Sequence, residues 1–184
     1  QAEKTKQTLL TAADGQLLVA KLEKKQQKRN PAPPFITSTL QQEASRKLGF
    51  TTKRTMIVAQ QLYEGIDIGG ETAGLITYMR TDSVNLSVEA VEEMRALITE
   101  TYGAKNVPKE PRLFKTKSKN AQEAHEAIRP TYPRQLPIQI KSHLSVEQYK
   151  LYDLIWKRTI ACQMIHATLN MVAVDLTCGD GKQV

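Results

Sequence analysis

The order of strand and helix signals along the chain is the feature that most constrains its fold. Asp14-Gly15, between residues 8–13 and 16–22, is a turn signal that predicts a β-hairpin near the start. Residues 168–178 are rich in Val, Leu and Thr and predict a strand near the other end. Signals typical of helices lie between them. This order predicts that the two end segments pair with each other.

These signals predict an α+β fold that is mainly helical. The simplest arrangement is a helical domain inserted into a partial β domain, so that the chain leaves the β domain and later returns to it. We expect the first part of the β domain at residues 1–35, the helical domain at 36–165 and the returning part at 166–184.

Capping residues and glycines mark the predicted helices. The first two are joined by a short turn containing Gly49, which is the pattern of a helix-turn-helix pair. Because such pairs also occur as plain packing units, this pair alone does not predict DNA binding. A short strand is predicted from Leu75 to Met79. The predicted helices cover residues 39–48 after Ser38, 52–64 after Thr51, 88–102 after Ser87, 121–128, and 146–165 after Ser145.

The positive charge of the chain is concentrated in two windows. The net charge is +7, which favours a polyanionic partner. Residues 21–29 hold five basic side chains and one acidic one, and residues 105–119 hold six and one. Each window is equally compatible with a solvated, lysine-rich loop. The second window contains Lys115, Lys117 and Lys119, which are candidate DNA-binding residues.

The sequence predicts no zinc site, no disulfide framework and no membrane-spanning segment. Cys162 and Cys178 lie far apart without ligand spacing, so neither a zinc site nor a disulfide framework is expected. No apolar run approaches the length that crosses a membrane. The chain starts with Gln and ends just after Gly-Asp-Gly, and we expect it to be part of a longer protein.

The stretch LITYMRTDS, residues 75–83, holds the strongest candidate for chemistry. Tyr78 is a potential nucleophile, and Arg80 is a permanent cation two residues away. A guanidinium near a phenol favours the phenolate and also binds phosphate oxygens. These groups suit an attack on a phosphodiester. Because most Tyr-x-Arg triplets are ordinary strand residues, the spacing by itself is weak support.

A second polar group lies in AQEAHEAIRPT, residues 121–131. In the predicted helix, Gln122, His125, Glu126 and Arg129 share one face, and His125 and Arg129 are placed to reach one phosphate. The alternative is a solvated helix face on which Glu126 pairs with Arg129 or Gln122. The helix by itself favours this alternative.

Three motifs together resemble the bacterial type IA DNA topoisomerases. They are PPFITSTLQQEASRKLGF at residues 33–50, LITYMRTDS, and AHEAIRPT, with Tyr78 and His125 47 residues apart. The resemblance extends over about residues 31–178. Met79 indicates the topoisomerase I branch, since the topoisomerase III branch commonly has proline there. Reverse gyrase, whose topoisomerase half is similar, stays an alternative.

The resemblance implies roles for three residues. Tyr78 would attack single-stranded DNA and become linked to a 5′ phosphate, leaving a 3′ hydroxyl that reverses the step. Arg80 would contact the scissile phosphate, and His125 would help to bind DNA near the cleavage site. Arg129 is a weaker candidate for DNA binding. In the whole enzyme this cycle relaxes negative supercoils without ATP.

The resemblance also implies what a longer protein would supply. The family uses Mg²⁺ held by a Toprim domain with a DxD motif, which this sequence lacks, so we expect no metal ligands in the chain and little activity of the chain alone. By analogy the helical domain has a CAP-like fold and the flanking strands belong to a β arch. The implied protein is a bacterial cytoplasmic, nucleoid-associated monomer acting on single-stranded or underwound DNA. The alternative is a DNA-binding module without chemistry.

Overall fold

The computed structural model describes residues 1–70, 72–114 and 125–177, and the chain forms two compact units. The central unit spans Asn30–Ile165, and the end unit consists of Gln1–Arg29 and the segment that begins at His166. The α-helices are α1 (Ala2–Ala13), α2 (Thr37–Leu48), α3 (Thr52–Glu64), α4 (Val88–Tyr102) and α5 (Val146–Cys162). The strands are β1 (Leu18–Arg29), β2 (Ile66–Asp67), β3 (Thr72–Ala73) and β4 (Ala167–Thr177).

The end unit pairs two segments that are far apart in sequence. β1 and β4 form an antiparallel ladder from Leu18 opposite Thr177 to Arg29 opposite Ala167, with an irregularity between Val19 and Lys21. The predicted pairing of the two end segments is therefore confirmed. The first basic window, residues 21–29, lies in β1 and not in a loop. Lysines and glutamines are poor strand signals, and the partner strand that stabilises them is more than a hundred residues away.

The predicted hairpin at Asp14-Gly15 is wrong. The segment before it is α1, and Asp14 ends this helix in the left-handed conformation with φ of 45°. The Asp14 amide donates to the Leu10 carbonyl, and Gly15 follows with φ of 72°. Asp-Gly suits a helix C-terminus as well as a hairpin turn, because both need residues that tolerate positive φ.

Helices α2 to α5 form the core of the central unit. α2 and α3 pack on each other and both pack on α5. At the edge of this core, the Tyr152 hydroxyl donates to the Gln135 carbonyl and the Trp156 indole donates to the Pro133 carbonyl, both at 2.8 Å. Side chains that are fully buried in the core include Leu40, Leu62, Met94, Ile98, Leu151 and Ile155.

Most predicted helix starts are confirmed. Thr51 caps α3, Ser87 caps α4, and Ser145 forms a capping box with Gln148 at the start of α5. Ser38, however, is not the cap of α2. That helix starts at Thr37, and at its N-terminus the Thr39 hydroxyl accepts from the Ile36 amide at 3.0 Å.

The short helix predicted at residues 121–128 and the short strand predicted at residues 75–79 do not form as expected. Residues 125–127 of the predicted helix at 121–128 have no regular secondary structure, and Ile128 makes an isolated antiparallel bridge with Phe35. The predicted strand from Leu75 to Met79 is reduced to a bridge between Ile76 and Pro130. At residues 125–128, contacts with distant segments take the place of the local hydrogen bonds of a helix. Residues 75–79 do pair with a distant segment, but the pairing is limited to a single bridge.

Two further observations concern reactivity and membranes. Burial raises the pKa of the Cys162 thiol to about 12, so this cysteine is a core residue without a reactive thiolate at neutral pH. Among the described residues, no helix combines the length and the apolar character that crossing a membrane requires.

Truncation of Ile155 on α5 tests the core. Because Ile155 is fully buried, Ile155→Ala should lower the free energy of unfolding by about 2–5 kcal/mol. Val146→Ala on the same helix removes a side chain that is 70% exposed and should cost at most about 0.5 kcal/mol. Urea unfolding followed by circular dichroism measures both. Similar losses for the two variants would contradict the packing of α5.

Candidate functional site

The segment that carries Tyr78 runs through the central unit with alternating burial. Ile76 and Met79 are buried, whereas Tyr78 is 49% exposed and Arg80 is exposed. The segment starts close to α3: the Leu75 amide donates to the Leu62 carbonyl at 2.7 Å. A Cβ on Gly74 would lie 2.7 Å from the Tyr63 carbonyl oxygen, so only glycine allows this approach. The buried neighbours leave the side chains of both candidate residues, Tyr78 and Arg80, at the surface.

The second motif meets this segment next to Tyr78. The Thr77 amide donates to the Arg129 carbonyl at 2.9 Å. The Thr77 hydroxyl donates to the Ala127 carbonyl at 2.7 Å and accepts from the Arg129 amide at 3.0 Å. His125, two residues before Ala127, is exposed. The residue next to Tyr78 is therefore tied to the segment that follows His125.

The first motif meets the same segment on the other side of Tyr78. The Ile128 amide donates to the Phe35 carbonyl at 2.8 Å, which joins the first and second motifs. Thr37, at the start of α2, exchanges hydrogen bonds with Met79 and Thr81. Three stretches that are distant in sequence thus form one continuous piece of structure in the central unit.

Two exposed functional groups face outward from this structure. The Tyr78 ring makes an edge contact with the Tyr63 ring, with centroids 5.3 Å apart and planes at 62°. Arg80 lines an open groove together with residues of α3 that include Lys53 and Gln60. Among the described residues, nothing forms an ion pair or a hydrogen bond with the Arg80 side chain. A cation without an internal partner is available to an anionic ligand.

Arg129 is engaged inside the protein, in contrast to Arg80. Its Nε lies 3.1 Å from one carboxylate oxygen of Glu126, and its Nη2 lies 2.8 Å from the other. Its Nη1 donates to the carbonyls of Pro130 and Thr131. Glu126 also accepts from the Ser87 amide at 2.7 Å, at the start of α4. The donors of Arg129 thus hold Glu126 and the backbone, and its role in DNA binding stays a prediction.

Some of the residues and sites considered from the sequence remain to be placed. Lys115, Lys117, Lys119 and Gln122 lie outside the described residues. Within the described ranges, no group of three or more His, Cys, Asp or Glu side chains is placed to hold a metal ion.

Sequence reasoning missed the threonines that organise the site. Thr37 and Thr77 both use their hydroxyls to hold backbone groups of other motifs. We had assigned the start of α2 to Ser38 and had given Thr77 no specific role. A threonine between a buried residue and a candidate nucleophile is a usable signal, because buried backbone groups need a partner that a hydroxyl supplies.

Replacement of Arg129 tests its internal role. Arg129→Met leaves the partly buried Glu126 carboxylate without its cation and should lower the free energy of unfolding by about 3 kcal/mol. Arg134 makes a similar two-point contact with Glu100, but both side chains are about half exposed, so Arg134→Met should cost about 0–1 kcal/mol. Urea unfolding of both variants measures the difference. Equal costs would show that the Arg129 contact is not structural.

Comparisons with known proteins agree with the three motifs. The family model described as DNA topoisomerase matches residues 1–184. DNA topoisomerase 1 of Xylella fastidiosa strain Temecula1 is 59% identical over 170 residues, which are 92% of this chain and 21% of that protein. DNA topoisomerase 1 of Rickettsia bellii is 63% identical over 158 residues, which are 86% and 20%. The chain therefore spans about a fifth of the length of these relatives.

A solved structure agrees with the fold. Full-length topoisomerase I from Thermotoga maritima, in a monoclinic crystal form, matches with a TM-score of 0.77 and 41% identity. The match covers 99% of this chain and 28% of that one, and it supports the mixed helix and strand class. Because a family model matches every residue and the fold agrees with a solved member, the chain belongs to the DNA topoisomerase family.

Proposed function

We propose that this chain is the tyrosine-bearing part of a bacterial type IA DNA topoisomerase. The observation that carries this proposal is the exposed Tyr78 beside an exposed Arg80 that has no internal partner among the described residues. In the proposed step the Tyr78 oxygen forms a bond to a DNA phosphorus, and the bond from that phosphorus to the 3′ oxygen breaks. The phenol proton is lost, and the released 3′ oxygen gains one.

Arg80 supplies the electrostatic part of this step. The attack increases negative charge on the phosphate oxygens, and a cation that is already in place stabilises that charge. Because the new phosphotyrosine bond keeps the phosphodiester energy, the 3′ hydroxyl reverses the step without ATP. We propose that His125 binds DNA beside the cleavage site, and that Lys115, Lys117 and Lys119 bind the DNA backbone.

The metal requirement belongs to another part of the longer protein. The family resemblance implies Mg²⁺, but the described residues offer no side-chain group that fits it. We propose that a Toprim domain of the same polypeptide holds this ion.

The structure also supports a finer description of the domains. α2 and α3 are separated by residues 49–51, which suits a helix-turn-helix pair within a CAP-like domain. We propose that the end unit is part of a β arch. In the whole protein these parts would relax negative supercoils in single-stranded or underwound regions of DNA. We propose that it does so as a monomer in the bacterial cytoplasm, associated with the nucleoid.

A covalent capture experiment tests the proposed chemistry. The chain is mixed with a separately produced Toprim domain and Mg²⁺, and single-stranded DNA labelled at its 3′ end is added. We expect a labelled protein band on a denaturing gel, because the 3′ part of the cut strand stays attached to Tyr78. Tyr78→Phe should abolish the band. Tyr102→Phe removes the hydroxyl of a tyrosine that is similarly exposed, at 45%, and should leave the band unchanged.

The same experiment distinguishes the proposed cleavage chemistry from the alternative, a DNA-binding module without chemistry. That alternative predicts salt-sensitive DNA binding, no adduct with the wild type, and no effect of Tyr78→Phe. An adduct of equal strength with Tyr78→Phe would also contradict the role given to Tyr78.

A further inference from the structure

We propose that Thr37 is the positioning residue for Arg80. The inference rests on the proposed function, since it concerns how the candidate phosphate-binding arginine is held. Thr37 is the first residue of α2, 41 residues before Tyr78, and neither the family resemblance nor the motif chemistry gave it a role.

Thr37 holds the main chain on both sides of Arg80. Its hydroxyl accepts from the Thr81 amide at 2.9 Å and lies 2.8 Å from the Met79 carbonyl oxygen and 3.0 Å from that of Thr81. Its own amide donates to the Thr81 carbonyl at 3.0 Å. One residue thereby bonds to both neighbours of Arg80.

Burial makes these bonds important. Met79 is fully buried and Thr81 is 8% exposed, so their backbone groups have little access to water. A buried backbone group without a partner is unfavourable, so the segment adopts the path on which Thr37 satisfies it. Thr37 is partly buried itself, which shields the bonds from competing water.

The direction of Arg80 depends on this path. Among the described residues its side chain has no ion-pair or hydrogen-bond partner, so no side-chain contact of that kind fixes its direction. The position of its Cα follows from residues 79 and 81, which Thr37 holds. On the other side of Tyr78, the Thr77 hydroxyl bonds to Ala127 and Arg129. Thr77 therefore does not hold the backbone of residues 79 and 81 as Thr37 does.

Three variants separate positioning from helix stability. Thr37→Val keeps the shape of the side chain but removes the hydroxyl, and Thr37→Ser keeps the hydroxyl. Thr39→Val is the matched control, because Thr39 also uses its hydroxyl at the start of α2 but bonds to Ile36 and not to residues 79–81. All three variants should stay folded by circular dichroism. Unfolding of Thr37→Val under conditions where Thr39→Val is folded would overturn the inference.

Hydrogen exchange measures the bond directly. In the wild type and in Thr37→Ser, the Thr81 amide should be protected. In Thr37→Val it should exchange about tenfold faster or more, while Thr39→Val leaves it protected. An unprotected Thr81 amide in the wild type, or unchanged protection in Thr37→Val, would overturn the inference.

A double-mutant cycle measures the functional consequence on the chain itself. Binding of a fluorescent single-stranded oligonucleotide is followed by anisotropy at about 50 mM salt, where phosphate contacts are strong. Arg80→Ala should weaken binding about tenfold. Thr37→Val should weaken it about threefold or more, and Thr37→Ser and Thr39→Val less than twofold. If Thr37 acts through Arg80, the double variant Thr37→Val with Arg80→Ala should bind within twofold of Arg80→Ala alone.

The outcomes distinguish the inference from the proposed function. No effect of Arg80→Ala would contradict the phosphate contact and therefore the proposed function. A clear effect of Arg80→Ala with none of Thr37→Val would overturn only the role of Thr37. An additive loss in the double variant would also overturn it, because Thr37 would then contribute independently of Arg80.

Discussion

The candidate site depends on hydrogen bonds that two threonine hydroxyls make to the backbone of other segments. Thr77 holds residues 127–129, and Thr37 holds residues 79–81. Neither contact belongs to a regular sheet, since only isolated bridges occur here. The hydroxyls satisfy backbone groups that a longer ladder would otherwise satisfy. Without them, buried amides and carbonyls next to Tyr78 and Arg80 would have no partner.

Arg129 and Arg80 differ in whether their guanidinium groups are already bonded within the protein. The Arg129 guanidinium donates hydrogen bonds to Glu126 and to nearby carbonyls. Glu126 in turn accepts from the Ser87 amide at the start of α4. Arg80 has no such partner among the described residues and faces the groove beside α3. One arginine therefore stabilises the site and the other is free to meet an anion. Sequence pattern alone assigned both to DNA, because charge and spacing do not show which guanidinium is already occupied.

The errors in the predicted elements have two causes. The signals at Thr51, Ser87 and Ser145 involve a side chain and an amide three residues away, and all three caps formed. The hairpin at Asp14-Gly15, the helix at residues 125–128 and the strand from Leu75 to Met79 did not form as predicted. At Asp14-Gly15, two structures share one local signal. In the other two, contacts with distant segments replaced the local preference.

The sequence by itself determined the family, the capped helices, the pairing of the two ends and the choice of Tyr78 and Arg80 as candidates. These conclusions depend on residue identity, on the spacing of motifs and on the order of signals along the sequence, which are properties of the chain alone. Only the tertiary structure decided that Arg129 is internally bonded and that Thr37 holds the backbone around Arg80. These contacts join residues that are close in space but 42 or 44 positions apart for Thr37, and their strength depends on burial, which arises when the core forms.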